Sequence, residues 1–559
     1  DLHVRSRRQR QMCIRDRRII LCNKPSATSY MDLLTVEGEL NPSFQAAAIA
    51  MGLLEDDAEL DKAMQEAYEM KFGEQIRQLF FAILIYCRPS DPLKFWIDHK
   101  LKLTEDWSKL GESQQNIDNK ALQWLENRLL PMELNLNSFK LPKPQIEDLP
   151  SKELAIIKDE LNYDHIAERK ETLIKLEKFN IEQKELFYAV MSAINGDGGL
   201  FCLDAPGGTG KTFVLGALLS AVRSDGHIAI ATALSAVASK LLVGGTTLHS
   251  RLKVPVNIQE ESICRFAKNS GIGEMLRRSK LLVIDEVTMG HKYIYEAIDK
   301  SLRDVRENDK PMGGLCTVFS GDWRQTLAVI PGGSEAQIVD ACIKFSYLWE
   351  NIQVFHLREN MRVRMSGSTE VEKFANWLLS IGNGTCGEGE LIIPHNMIAE
   401  EDSLECLTNF VYPEMQTNFK NGEWLAERAI ISPTNLETEE INNYCLNLFP
   451  GEIKEFKSVD STEENSPDYT PEFLNTIHAP GIAQHKLNLK LGAPVVLLRN
   501  IDPKNGHCNG VKYIINNMRK HIIELKSISQ GNFGSFLFLP RILMVNQTAT
   551  LPFLSLIHI

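Results

Sequence analysis

The sequence has no C-x-x-C pair, and its 11 cysteines are scattered without any grouped set of His and Cys ligands. That spacing excludes the usual structural zinc sites, argues against a disulfide framework, and fits a reducing compartment. No run of about 18 apolar residues occurs, so no membrane-spanning helix is predicted. Positive charge is not in excess. Against 73 Asp and Glu there are 61 Lys and Arg, a formal net charge of −12. A globally basic nucleic-acid binder is excluded, whereas a local basic groove is not. What remains is ordinary for a globular chain: 43% hydrophobic and 24% charged residues over 559 positions. Such a chain can bury large cores and should hold several domains.

The most informative stretch is GGLFCLDAPGGTGKT, Gly198 to Thr212. Leu200 to Leu203 is a short apolar run, as in a buried strand, and FVLGALLSAV after Thr212 reads as a helix. A strand, a Gly-rich loop, Lys-Thr and then a helix make a phosphate-binding loop. Gly207, Gly208 and Gly210 let the backbone curl so that its N–H groups point inward, at the positive end of the helix. The predicted nucleotide contacts run over Ala205, Pro206, Gly207, Gly208, Thr209, Gly210, Lys211, Thr212 and Phe213. Lys211 would reach the β- and γ-phosphates of ATP, and Thr212 would hold Mg2+. The usual pattern opens on Gly, and here Ala205 stands in that place.

Residues 19–130 read as mostly helical. Apolar positions fall at helical spacing from Asp56 to Cys87, CRPSDP stops the run, and a second helix covers Lys120 to Leu130. Four prolines between Pro131 and Pro150 indicate a linker. A charged helix is expected over roughly 152–176, and Asn180 can cap the next one, with Gln183 in its first turn. Strands are expected at 227–232, 281–284, 315–320 and 353–357, with helices at 235–242 and 293–305. Repeated βα units imply a parallel sheet with its ligand at the carboxyl ends of the strands. The acidic segment 455–472 reads as a flexible excursion. Two readings of the Arg-rich residues 1–18 stand side by side: a nuclear-localisation or nucleic-acid arm, and translated adapter sequence. The tail 555–559 is set aside as non-native in the same way.

The carboxyl ends of those strands carry the chemistry. Asp285 closes an apolar strand and suits the Mg2+ shell opposite Thr212. Glu286 is placed to polarise an attacking water. In GDWRQTL, Gln325 suits the γ-phosphate or that water, and Arg362 of LRENMR suits an arginine finger. Hydroxyls and cations after the second strand (Thr232, Ser235, Thr247, His249 and Arg251) suit a nucleic-acid backbone. They suit a solvated loop almost as well. No N-K-x-D guanine signature is present, which counts against a GTPase.

Taken together, these motifs resemble the Pif family of DNA helicases (petite integration frequency), of helicase superfamily one. APGGTGKT, IDEVTM, SGDWRQTLAVIPGG and LRENMRV correspond in order to its first four motifs, and Ala in the opening position is tolerated within that superfamily. ISPTN (431–435) and LKLGAPVVLLRNIDPKNGHCNG (489–510) resemble its later block. Upstream, ATSYMDLLTVEG, MGLLEDDAEL, CRPSDP and DELNYD look like the segment before the helicase of Helitron rolling-circle transposons. No two-Tyr, His-x-His initiator site is found.

The resemblance implies an α/β fold. A RecA-like P-loop NTPase domain with a parallel sheet spans 166–350, and a partial second RecA-like domain starts over 351–450. A β-rich insertion with an incomplete remainder covers 451–554, the helical N-terminal region 19–130 and a linker 131–165. It implies ATP and Mg2+ as cofactors, with 5′-to-3′ translocation on single-stranded DNA and action at DNA duplex junctions. The implied work is recombination, repair, telomere maintenance or Helitron transposition, inside the cell and, in a eukaryote, in the nucleus. Oligomeric state is left open. The same resemblance gives catalytic roles to Lys211, Asp285, Glu286, Gln325 and Arg362, and an adenine-reading role to Gln183. The departures are Ala328 where the family has proline and Val511-Lys512 where it has Thr-Arg. The family's last motifs are also absent, so the chain as given is expected to turn over little ATP. The alternative is a catalytically inactive, transposon-derived remnant that binds nucleotide or DNA.

Overall fold

The computed structural model describes residues 20–557 apart from 22–23, 25–26, 37, 45–46, 48–49, 52–56, 71–72, 109–112, 130–131, 133, 145–151, 387–390, 462–470, 478–481, 503–504, 530–532 and 546–553. The Arg-rich segment 1–18, part of MGLLEDDAEL and most of the acidic excursion thus lie outside the described residues. By its contacts the chain forms two units. One is the contiguous stretch Glu147–His395; the other joins Asp1–Ile146 with Asn396–Ile559.

The contiguous unit is built on six parallel strands: β1 Leu200–Asp204, β2 Ile228–Ala233, β3 Thr246–Thr247, β4 Ser279–Asp285, β5 Cys316–Gly321 and β6 Ile352–His356. Their order across the sheet is β3-β2-β4-β5-β1-β6. Four of the strands are nearly all buried, because both faces are covered, as parallel sheets require. Successive side chains alternate between two cores. Leu200, Cys202, Ile230, Leu282 and Ile284 face one core, and Phe201, Leu203, Ala229, Ala231, Leu281 and Val283 face the other. The second core holds helix α1 (Ile181–Ile194) through Leu186, Phe187 and Val190, and helix α2 (Lys211–Ser224) through Val214, Leu215 and Leu218. The first core holds α3 (Lys292–Arg306) through Tyr295, Ile298 and Leu302. The result is a three-layer α/β unit of the class expected.

The expected 152–176 helix is two helices, Lys152–Leu161 and His165–Lys178. Asn162 and Tyr163 part them, and the Asp164 side chain caps the second by accepting from the N–H groups of Ile166 and Ala167. The Asp56–Cys87 run is also broken. Gly73, at φ +71°, separates Asp57–Tyr68 from Glu74–Ala82, which ends in a π-helical turn, Ile83–Cys87. Periodicity carried across Gly73 because both flanking helices bury their apolar faces in one core, whereas Ile157 and Leu176 of the other pair enter different cores of the contiguous unit.

In the other unit the N-terminal helices pack on C-terminal strands. Phe80, Phe81, Phe95 and Trp96 share a core with Ile522 and Phe538. Glu66 accepts from His521 Nδ1 at 2.7 Å and Glu69 accepts from Arg519 at 2.6 Å. A four-stranded antiparallel sheet runs Pro494–Val496, Lys512–Met518, Ile522–Ser527 and Phe536–Pro540. The tail set aside on sequence grounds overlaps a strand: Leu554–Ile557 is the central strand of a three-stranded sheet, between Val459–Ser461 and Ile542–Val545. The six-stranded sheet is the one parallel sheet among the described residues, and Ile430–Ser432 forms no strand there. No described helix is long and apolar enough to cross a membrane.

Gly198, entering β1, has φ +82°, and a Cβ there would lie 2.3 Å from the Gly314 carbonyl oxygen. Gly198→Ala is expected to lower unfolding free energy by about 1–3 kcal/mol, read from urea midpoints of the full chain. An unchanged midpoint would contradict this close approach.

Candidate nucleotide site

The site sits where the parallel strands end in register. Asp204 of β1 lies beside Gly321 of β5 and His356 of β6, and Asp285 of β4 lies beside Ala233 of β2. The loop is stitched to its neighbours at that level. Ala205 N–H donates to the Gly321 carbonyl and Leu357 N–H to the Asp204 carbonyl, both at 3.1 Å.

Beyond Asp204 the backbone turns through two left-handed glycines, Gly208 at φ +88° and Gly210 at φ +89°. A Cβ on Gly208 would stand 2.7 Å from Asn360 Oδ1, and one on Gly210 2.6 Å from Gln183 Nε2. Gly207 is exposed, with nothing within 4 Å of a notional Cβ, so the mouth of the loop opens there. Ala205 and Thr209 are buried, while Pro206, Thr212 and Phe213 are half-buried. The Thr209 hydroxyl donates to the Pro206 carbonyl at 2.8 Å. No side chain caps α2 at Gly210, so its N-terminal N–H groups are offered to an anion.

Lys211 meets both predicted acids. Its Nζ is 2.7 Å from Glu286 Oε1 and 3.3 Å from Asp285 Oδ1. Asp285 is 1% exposed, and its Oδ1 also accepts from the Glu286 N–H at 2.9 Å. Glu286 adopts a left-handed φ of +57°, uncommon outside Gly. Burial alone would pull the Lys211 pKa down, but Asp285 and Glu286 outweigh it and hold the ammonium above its usual range. Hard oxygen donors at Thr212 and Asp285 suit Mg2+, which takes one or two carboxylates plus phosphate oxygens. No group of three or more His, Cys, Asp or Glu among the described residues could hold a metal, so such an ion would draw its other ligands from phosphate and water.

Gln325 is exposed and tethered, its Nε2 donating to Asp322 Oδ2 at 2.8 Å. Gln183 is 1% exposed with both ends of its amide engaged. Its Oε1 accepts from the Asn180 N–H at 3.1 Å, and its Nε2 donates to the Thr209 carbonyl at 3.0 Å. The structure therefore uses Gln183 as a brace beneath the loop. Arg362 reaches the loop by its backbone. The N–H groups of Met361 and Arg362 donate to the Gly208 carbonyl at 2.9 and 3.3 Å, and the Arg362 side chain is exposed.

The candidate DNA contacts are mostly engaged within the fold. Thr232 is fully buried and donates to the Val283 carbonyl at 2.7 Å, so its hydroxyl belongs to the sheet and is corrected to a structural role. Ser235 and Thr247 cap short helices, accepting from the N–H groups of Ala238 and Ser250. Arg251 is committed to an ion pair with Glu160, and burial pulls its pKa to about 10. His249 is half-buried, and burial lowers its pKa.

Sequence reading found Asn180 as a helix cap but missed Asp204 and Asn360. Asn360 caps the helix Met361–Ser366, accepting from Arg362 and Val363 N–H, while its side chain rests against Gly208. Only strand register brings these groups to the loop, and one sequence does not display register.

Residues 178–390 match the family model described as PIF1-like helicase, and residues 472–518 match that of the DNA helicase Pif1 2B domain. The chain is 26% identical over 344 residues to the ATP-dependent DNA helicase PIF1 of Danio rerio, an alignment covering 61% of this chain and 46% of that protein. With the human protein of the same name identity is 25% over 314 residues, covering 55% of this chain and 42% of that one. The chain thus spans less than half the length of these two relatives. Among solved structures, the Bacteroides Pif1 helicase in complex with ADP-AlF3 and single-stranded DNA superposes with a TM-score of 0.48 at 21% identity, covering 67% of this chain and 80% of that one.

The raised Lys211 pKa has a definite sign. Its stabilising contribution is fully present below the unfolded value, about 10.4, and is lost as pH rises through the higher folded value. Glu286→Gln removes the nearer carboxylate, so Lys211 should titrate at lower pH than in the wild type, measured by NMR of the 13C-methylated lysine. An unshifted midpoint would show that the pair does not form in solution.

Proposed function

We propose that this chain is the motor portion of an ATP-dependent DNA helicase, driven by Mg-ATP hydrolysis and moving 5′ to 3′ on single-stranded DNA toward duplex junctions. One observation carries the reading: Lys211, Asp285 and Glu286, distant in sequence, lie within 3.3 Å at the carboxyl ends of a parallel sheet, beside a loop with two left-handed glycines. The match of residues 178–390 to PIF1-like helicases supports it.

In this mechanism the triphosphate enters along the α2 N-terminus, and its charge draws Lys211 away from the acidic pair. Glu286, released from the ammonium, then accepts a proton from the attacking water. Thr212 and Asp285 would hold Mg2+, which when bound neutralises charge on the phosphates. Gln325 exchanges Asp322 for the γ-phosphate and so reports nucleotide state. Arg362, with its side chain free in solvent, supplies positive charge to the transition state. Reading of adenine by Gln183 requires it to give up the Thr209 carbonyl.

The β-rich C-terminal strands serve as the insertion of a second RecA-like domain that begins within 351–450, and the match of residues 472–518 to the 2B domain supports that part. The Helitron-like upstream segments favour transposition as the biological setting, with repair, recombination and telomere maintenance as family alternatives. Each places the protein inside the cell, and in the nucleus of a eukaryote.

Lys211→Ala should weaken Mg-ATP binding by about tenfold or more in fluorescence titration, because the ammonium is a principal phosphate ligand. Equal affinity in the two proteins would remove the assignment. DNA-stimulated phosphate release, lost in Glu286→Gln, separates a hydrolase from a remnant that only binds.

A further inference from the structure

Arg324 makes more polar contacts than any role in nucleotide binding accounts for. Its Nη1 lies 3.2 Å from Asp204 Oδ1 and 3.1 Å from Asp322 Oδ1, and its Nε donates to Asn383 Oδ1 at 3.0 Å. Its own backbone N–H donates to Asp322 Oδ1 at 3.1 Å. These partners belong to three elements. Asp204 ends the strand that launches the phosphate loop, Asp322 opens the loop after β5, and Asn383 caps the helix Thr369–Gly382. A Cβ on Gly382 would lie 2.9 Å from Arg324 Cβ, so the helix end and the arginine stem are in direct contact.

We infer that Arg324 is a positioning residue that couples the loop carrying Gln325 to the helix Thr369–Gly382, with Asp204 as its fixed anchor. This rests on the nucleotide-site reading above.

The physical argument is competition for one carboxylate. Asp322 is 3% exposed, and its two oxygens are divided: Oδ2 takes Gln325 Nε2, and Oδ1 takes the Arg324 guanidinium. When Gln325 turns to a γ-phosphate, Asp322 loses a donor and its hold on Arg324 changes. The guanidinium cannot simply leave. Asp204 is largely buried, and an abandoned buried carboxylate is costly. His356 Nδ1 is 3.2 Å from Asp204 Oδ2, which keeps that anchor in place from β6. The remaining freedom lies on the exposed side, at Asn383, so a shift of Arg324 is delivered to the helix end. The guanidinium divides the work between two nitrogens, Nη1 serving both carboxylates and Nε the amide oxygen, and lysine has only one nitrogen.

The test uses the full chain and a Mg-bound non-hydrolysable ATP analogue, with affinity from fluorescence titration and amide hydrogen exchange followed over 377–384. In the wild type, nucleotide should change exchange there by about fivefold or more. Arg324→Gln and Arg324→Lys should bind with affinity changed by less than about tenfold and lose that response. Asn383→Ala, at an exposed position, removes only the helix-side partner and should lose the response with binding intact. A response that persists in Arg324→Gln and Asn383→Ala overturns the coupling. So does a larger loss of affinity in Arg324→Gln, which would make Arg324 a nucleotide contact. Wild-type binding without any response at 377–384 overturns the coupling alone, whereas absence of wild-type binding overturns the nucleotide-site reading with it.

Discussion

Coverage of both faces of one parallel sheet is the constraint on which the functional unit depends. Four of the strands between Leu200 and Gly321 alternate apolar side chains into two cores, which leaves room on the faces for only small buried hydroxyls such as Thr232 and Thr317. Charged groups therefore gather at strand ends. Because all six strands run the same way, the carboxyl ends of β1, β4, β5 and β6 deliver Asp204, Asp285, Gly321 and His356 to one rim. The site is a by-product of that geometry. Lys211 arrives because α2 begins directly after the turn, and its charge is matched by the two acids that β4 brings to the same level.

Much of this was legible in the residues. The run before each strand end was apolar, the glycines stood at fixed offsets, and the Lys-Thr pair opened a helix. Five of the six strands of the contiguous unit were accordingly read, to within a residue or two at their ends, and the two-residue edge strand Thr246–Thr247 was not. Less legible was which partner each polar group takes. Gln183 is given an adenine-reading role by the resemblance, yet it is buried and bonded to the loop's own backbone. Thr232 reads as a loop-tip hydroxyl and lies inside the ladder. Arg251 reads as a cation for a phosphate and is paired with Glu160. In each case a local pattern names a chemical group, and long-range register decides where it points.

Breaks in helices were hidden for a related reason. Two helices that share a core show one continuous period, so the interruption at Gly73 leaves no trace in hydrophobic spacing. The capping residues were the available signal. Asp164 caps a helix start much as Asn180 does, and reading the two alike would have divided the charged helix correctly.

The unit that joins the two extremities of the chain has a consequence for biosynthesis. Glu66 and His521 are 455 positions apart, and the aromatic cluster of the first helices shares its core with Ile522 and Phe538. On a ribosome those early helices emerge long before their partners, with an interval of roughly 20–90 s at ordinary elongation speeds. During that time the intervening parallel sheet, complete within its own stretch, is free to form, while the aromatics of the first helices stay uncovered. Maturation of this polypeptide is thus ordered from the middle outward, and the nascent amino-terminal segment is the part that most needs a chaperone's shelter.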